Sequence, residues 1–212
     1  MGFISKMLTW LLLLAGAAAA IAYTFFCDVW VIPDDDPALA ASIAPTLGPG
    51  DVVVLERRPS ASRGHLLRCV NPETPDRFMI GRAIGMGGDL LDVTGEIVKI
   101  DGHRTPSPRA CDPAQVTVHD PVTDEDVPLH SAVEEYGDHE FCTLRSMHSP
   151  EAPLQVQVEN GKVFLLSDNR HIHADSRDVG GAVLPSTCQH ILYRLVGPGG
   201  WSDDTRRLTV IW

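Results

Sequence analysis

The chain has 212 residues, enough for one domain with a short appendage, and its 44% hydrophobic content supports a real core. The net charge of −11, with all 28 acidic residues at or after Asp28, argues against nucleic acid as a partner. No basic stripe interleaved with aromatics appears anywhere in the chain.

The first element is "MLTWLLLLAGAAAAIAYTFFC", Met7 to Cys27, 21 residues without a charge. As a helix it would span roughly 30 Å, the hydrocarbon thickness of a bilayer. Lys6 precedes it, and Asp28 and Asp34–Asp36 follow. The positive-inside bias then places the N-terminus in the cytoplasm and the remainder on the extracytoplasmic side of the cell membrane. The small residues at 15–20 equally suit the cleavage site of a signal peptide. Both readings export the body of the protein; only the first keeps it on membrane lipid.

The expected organisation is an anchor over 1–27, a linker over 28–41 and a β domain over 42–212. "IPDDDPALAA" reads as linker with room for a short helical turn. "DVVVLERR", "HLLRCV" and "FMIGRAIG" are β-branched or apolar runs bounded by Pro, Ser and Gly, and predict strands. "LLDVTGEIVKIDGH" predicts two short strands around a Thr-Gly turn. Residues 104–132 are rich in Pro and Asp with weak apolar periodicity, and "RTPSPRACDPAQ" reads as a surface loop. "EFCTLRSM", "LQVQVENGKVFLLS" with its "ENGK" turn, "QHILYRLVG" and "RLTVIW" return to strand character. With no long amphipathic helix after residue 30 and no internal repeat, the fold class is mostly β.

Five cysteines, none in a CxxC pair, argue against a zinc ribbon or thioredoxin-type site. The odd count leaves at least one thiol without a partner in the chain; the pairing itself stays open.

Three segments carry the polar residues that could do chemistry. In "ASIAPTLGPGD", Ser42 precedes a stretch where the chain must turn; it is either an exposed nucleophile or a turn serine bonded to its own backbone. "MIGRAIGMGGD" sets one charge, Arg82, beside Gly81. In "SDNRHIHADSRDVG", Asp168, Asn169, Arg170, Asp175, Ser176 and Arg177 are expected to interlock as a hydrogen-bonded corner supporting a site.

Taken in order, these segments resemble the type I signal peptidases, membrane-anchored serine endopeptidases of family S26. The nucleophile box is resembled by Ser42-Ile43-Ala44-Pro45-Thr46-Leu47 with Gly50-Asp51 after it. The strand start is resembled by Arg63-Gly64-His65 and the base box by Gly81-Arg82-Ala83-Ile84-Gly85-Met86-Gly87-Gly88-Asp89. Ser167-Asp168-Asn169-Arg170, then Asp175-Ser176-Arg177 and Gly180, resemble the last box. The resemblance covers roughly residues 7–197. It implies an antiparallel S26-type β domain behind one N-terminal transmembrane helix. It also implies removal of signal peptides during protein secretion, with exported polypeptides as partners and no metal or organic cofactor. In that family a serine attacks the peptide carbonyl and a neutral lysine takes its proton.

The chain departs from that pattern at the base. The lysine position falls on Gly81, and the hydroxyl-bearing residue two before the nucleophile falls on Ala40. Arg82 cannot serve instead, because a guanidinium stays protonated. Two readings follow: Ser42 acts with a substitute base, His65, His171 or His173, or the chain is a pseudo-peptidase that binds exported polypeptides, or assists assembly of a surface structure, without cutting. "HIH" could also place two rings on one side with Asp175 for a metal, though two histidines on a corner are a weak ligand set.

Overall fold

The computed structural model describes residues 2–58, 61–95, 97–107, 109–146 and 152–211. Four residues of predicted segments, Glu96, Pro108, Met147 and Trp212, lie outside these. Helix α1 (Gly2–Phe26) leads directly into strand β1 (Cys27–Val31), which pairs antiparallel with β2 (Val52–Glu56). Trp10, Leu11–Leu14 and Phe25 are exposed on α1. Among the described residues no helix is long and apolar enough to cross a membrane, so the expected transmembrane helix is not found there. Between β1 and β2 lies a second helix, α2 (Pro37–Ser42). The stretch read as linker thus carries a paired strand and a helix.

Strands β3 (Leu66–Val70) and β4 (Phe78–Met86) form a hairpin. β5 (Leu90–Thr94), β6 (Ile97–Ile100) and β7 (His103–Arg104) form a meander. β8 (Gln115–Asp120), β9 (Glu125–Tyr136) and β10 (His139–Arg145) form an antiparallel ribbon. β11 (Leu154–Gln157), β12 (Val163–Leu166), β13 (Cys188–Val196) and β14 (Thr209–Val210) complete the chain. The main sheet runs β1-β2-β13-β3-β4-β12, with β14 on β13; a four-stranded sheet runs β11-β5-β6-β7, and the ribbon is β10-β9-β8. The fold is mostly β and antiparallel, as the β-branched runs and their turns predict.

The loop expected at "RTPSPRACDPAQ" joins β7 to β8, but the weakly periodic stretch that follows it, to 132, is regular. It holds β8 and the first half of β9, which only half-bury alternate side chains such as Val116 and Val118, so apolar periodicity is faint. Pro128 is tolerated because it sits where β9 pairs with β8 alone; β10 joins only from His130 onward.

β4 is buried along almost its whole length, and its alternation feeds different cores. Ile80 packs with Leu39, Ile43 and Leu66 beneath α2. Met79 and Ala83 pack with Leu67, Leu165 and Val183 on the opposite face. Disulfides join Cys69 to Cys188 and Cys111 to Cys142, leaving Cys27 as the unpaired thiol the odd count requires.

Candidate functional site

Ser42 closes α2. Asp36 caps that helix, accepting a hydrogen bond from Leu39 N at 3.0 Å, and Pro37 supplies a preset φ at its start. The Ser42 side chain is fully buried, and its Oγ donates to Leu39 O at 2.8 Å, inside its own helix turn. Of the two sequence readings, the serine bonded to its own backbone is the one found, at the buried end of a helix rather than in a turn. Asp36 followed by Pro37 ahead of "ALAA" is the local signal that marks this helix.

The last box grips α2 through Asn169. Its backbone N–H donates to Ser42 O and its Nδ2 to Ala41 O, each at 3.0 Å. Its Oδ1 accepts from His171 N and Ile172 N, which folds the box into a tight corner. Asp168 receives Arg82, with Nε at 3.0 Å and the second guanidinium nitrogen at 3.2 Å, plus the Thr46 hydroxyl at 2.5 Å. Arg82 also donates to Gly64 O at 3.1 Å and lies over the Phe141 ring at 4.1 Å. One buried guanidinium so ties together the loop after Ser42, the strand start and the last box. The turn after β4 is closed by Asp89, which accepts from Met86 N and Arg63. At Gly87 an added Cβ would lie 2.7 Å from Gly161 N, so only glycine fits.

Two further corners buttress the box. Asp175 accepts from Ser167 N at 2.7 Å and pairs bidentately with Arg177. Burial would raise its pKa, but Arg177 overrides this and holds it at about 2. Ser176 Oγ accepts from Leu165 N on β12. Arg170 pairs with Glu134 of β9 through Nε at 3.2 Å and a terminal nitrogen at 2.6 Å, and Arg145 joins the same carboxylate at 2.7 Å. Burial opposes ionisation of Glu134; the two guanidiniums prevail and keep its pKa at about 2. Backbone bonds from Leu144 to Asp168 and from Arg170 to Leu144 stitch the box to β10. Asp51, fully buried, receives Gly48 N, Arg194 and Arg206, and so clamps the loop after Ser42 to the C-terminal strands. Glu134, Arg145, Arg194 and Arg206 escape sequence reasoning, since no local spacing links them to the boxes they hold.

At Gly81, where the resemblance to the family places a base, no side chain is present and little space is left for one. A Cβ at Gly81 would lie 3.0 Å from Leu166 O and 3.1 Å from both Leu165 Cβ and Leu166 C. By strand alternation it points with Met79 and Ala83 into an apolar cluster. The histidines are dispersed. His173 Nδ1 pairs with Asp178 at 2.8 Å, and His171 is half-buried in the Asn169 corner. His65 stacks on His190 with ring centroids 3.8 Å apart. None of the three is bonded to Ser42 Oγ, whose hydrogen bond stays within α2. His173, Asp175 and Asp178 bring ligand atoms within 4.8 Å of one another. Both Asp175 oxygens are already taken by Ser167 N and Arg177, so a cation would have to displace them.

No curated protein matches the chain. The family model described as "Signal peptidase, peptidase S26" matches residues 5–188 and so takes in the capped serine helix, the Arg82 strand and the last box together. On that match the chain belongs to the S26 signal peptidase family.

Proposed function

We propose that the protein is a signal-peptidase-like protein that binds exported polypeptides without cutting them. Family membership implies substrates that bear signal peptides. The observation that carries the non-hydrolytic reading is the Gly81 position, where no base is present and β12 occupies the space one would need. Loss of a general base typically costs about 10²–10⁴ in rate. Ala40 in place of a hydroxyl-bearing residue removes one donor from the oxyanion hole, worth roughly another 10² or more. α1 is proposed to engage membrane lipid, and the β domain to lie on the extracytoplasmic side of the cell membrane, on the strength of the uncharged run and the charges that flank it.

A second reading keeps catalysis, with Ser42 as nucleophile. Its support is that Asn169 holds the Ala41 and Ser42 carbonyls where the last box can present the serine. One experiment separates the two: purified full-length chain and its Ser42→Ala form, each incubated with a signal-peptide-bearing polypeptide, with binding and cleavage both measured. The expected outcome is equal binding and no serine-dependent cleavage. Cleavage lost in Ser42→Ala would overturn the proposal, and His65→Ala, His171→Ala and His173→Ala would then locate the base.

A further inference from the structure

Three histidines meet where the ribbon abuts the main sheet. His65 lies just ahead of β3, His190 is on β13 and His139 opens β10. The His65 and His190 rings are parallel within 6° at 3.8 Å, and His139 meets His65 edge-on at 5.5 Å. The Nδ1 atoms of His65 and His139 are buried and have no hydrogen-bond partner among the described residues. We infer that this cluster forms an acid-sensitive clasp, closing the ribbon onto the main sheet while His65 and His190 are neutral and releasing it when they are protonated.

The surroundings supply little to balance added charge. Glu56 of β2 lies 3.8 Å from His190 Nδ1 and is the anion that both His65 and His190 feel. Arg82 of β4 adds positive charge from the site side. Tyr193, Leu192, Val210 and Ile211 line the adjoining cavity of about 350 Å³. A first proton can lean on Glu56; a second would sit face to face with the first in an apolar wall.

Burial, then His65, lowers the pKa of His190 to about 4; burial, then His139, lowers that of His65. Because these groups take up protons more readily once released, near pH 6.5, the clasp weakens as pH falls from there toward 4. Glu134 and Asp175, held at about 2, stay ionised over that range and do not contribute. Release would reach the candidate site, since Gly64 O holds Arg82 and His65 O receives Ala83 N at 2.9 Å.

The test is hydrogen exchange of the full chain at pH 7.5 and 4.8, corrected for intrinsic rates and followed in β10 and β13. The wild type should lose protection there by at least about tenfold, the effect of one proton shifted by one pH unit. His65→Phe and His190→Phe keep a ring but cannot titrate, and should stay flat. Unchanged wild-type protection, or the same loss in both variants, would overturn the clasp. Should the variants fail to fold, imidazole titration of the wild type by NMR decides. Midpoints for His65 and His190 below the ordinary histidine value support it, and midpoints at or above that value reject it. The readout is independent of peptide binding, so the clasp stands or falls apart from the proposed function.

Discussion

Gly81→Ala places a single methyl group at the position where the family keeps its base. In an open strand this change would help, because glycine inside a strand costs about 0.5–1 kcal/mol relative to alanine. Here the methyl would meet Leu166 O at 3.0 Å and Leu165 Cβ at 3.1 Å, with β12 bonded to β4 on that side. Overpacking a well-filled site typically costs about 1–3 kcal/mol. The balance is a net loss of roughly 0.5–2 kcal/mol. In urea, with a slope of about 1–3 kcal/mol per molar, such a loss lowers the midpoint by a few tenths of a molar or more. Gly81→Lys should lose more, because its stem enters the cluster of Met79, Ala83 and Leu165, and it should not create cleavage. Equilibrium denaturation of the wild type and both variants is the assay. An alanine variant as stable as the wild type, or a lysine variant that folds and cuts, would refute the view that β12 has closed this position.

Glu134→Gln removes the anion between Arg170 and Arg145 and leaves two guanidiniums without their buried partner. A loss of about 3–5 kcal/mol is expected by thermal or urea denaturation, and a loss under about 1 would show that the pair is replaceable. The Glu134 and Asp175 carboxyls are depressed to about 2, so their stabilisation is present above pH 4.5 and lost as pH falls toward 2. Acid unfolding of Glu134→Gln should be correspondingly less steep in that window. Opening the Cys69–Cys188 bridge, by paired serine substitutions, should cost more than opening Cys111–Cys142. Their sequence separations are 119 and 31 residues, giving roughly 5 against roughly 3.7 kcal/mol by chain entropy. Melting temperatures in the reverse order would contradict this.

The strands that bury both or alternate faces were legible because β-branched and apolar runs mark them. β8 and the first half of β9 were not, because they bury little and carry His, Asp and Pro on their open face. Ser42 could be found from local pattern, but not its burial, which follows from the Asp36 cap and the packing of Ile43 and Leu39. Arg82 and Asp168 stand in recognisable boxes, yet their pairing over 86 residues is a product of the fold. The Glu134 anchor and the histidine clasp join positions from separate strands, and neither leaves a spacing in the sequence. The lysine's absence was readable at once; that its space is filled required the course of β12.

The passage from α1 to β1 has a mechanical consequence. Phe26 ends the helix, Cys27 begins the strand, and Phe26 O is already bonded to Arg57 N, just past the end of β2. With no slack between them, the helix acts as a crank on the sheet. One residue inserted at this joint would turn the β domain by about 100° about the helix axis and shift it by about 1.5 Å. Whichever surface α1 engages, it therefore sets the bearing of the whole domain.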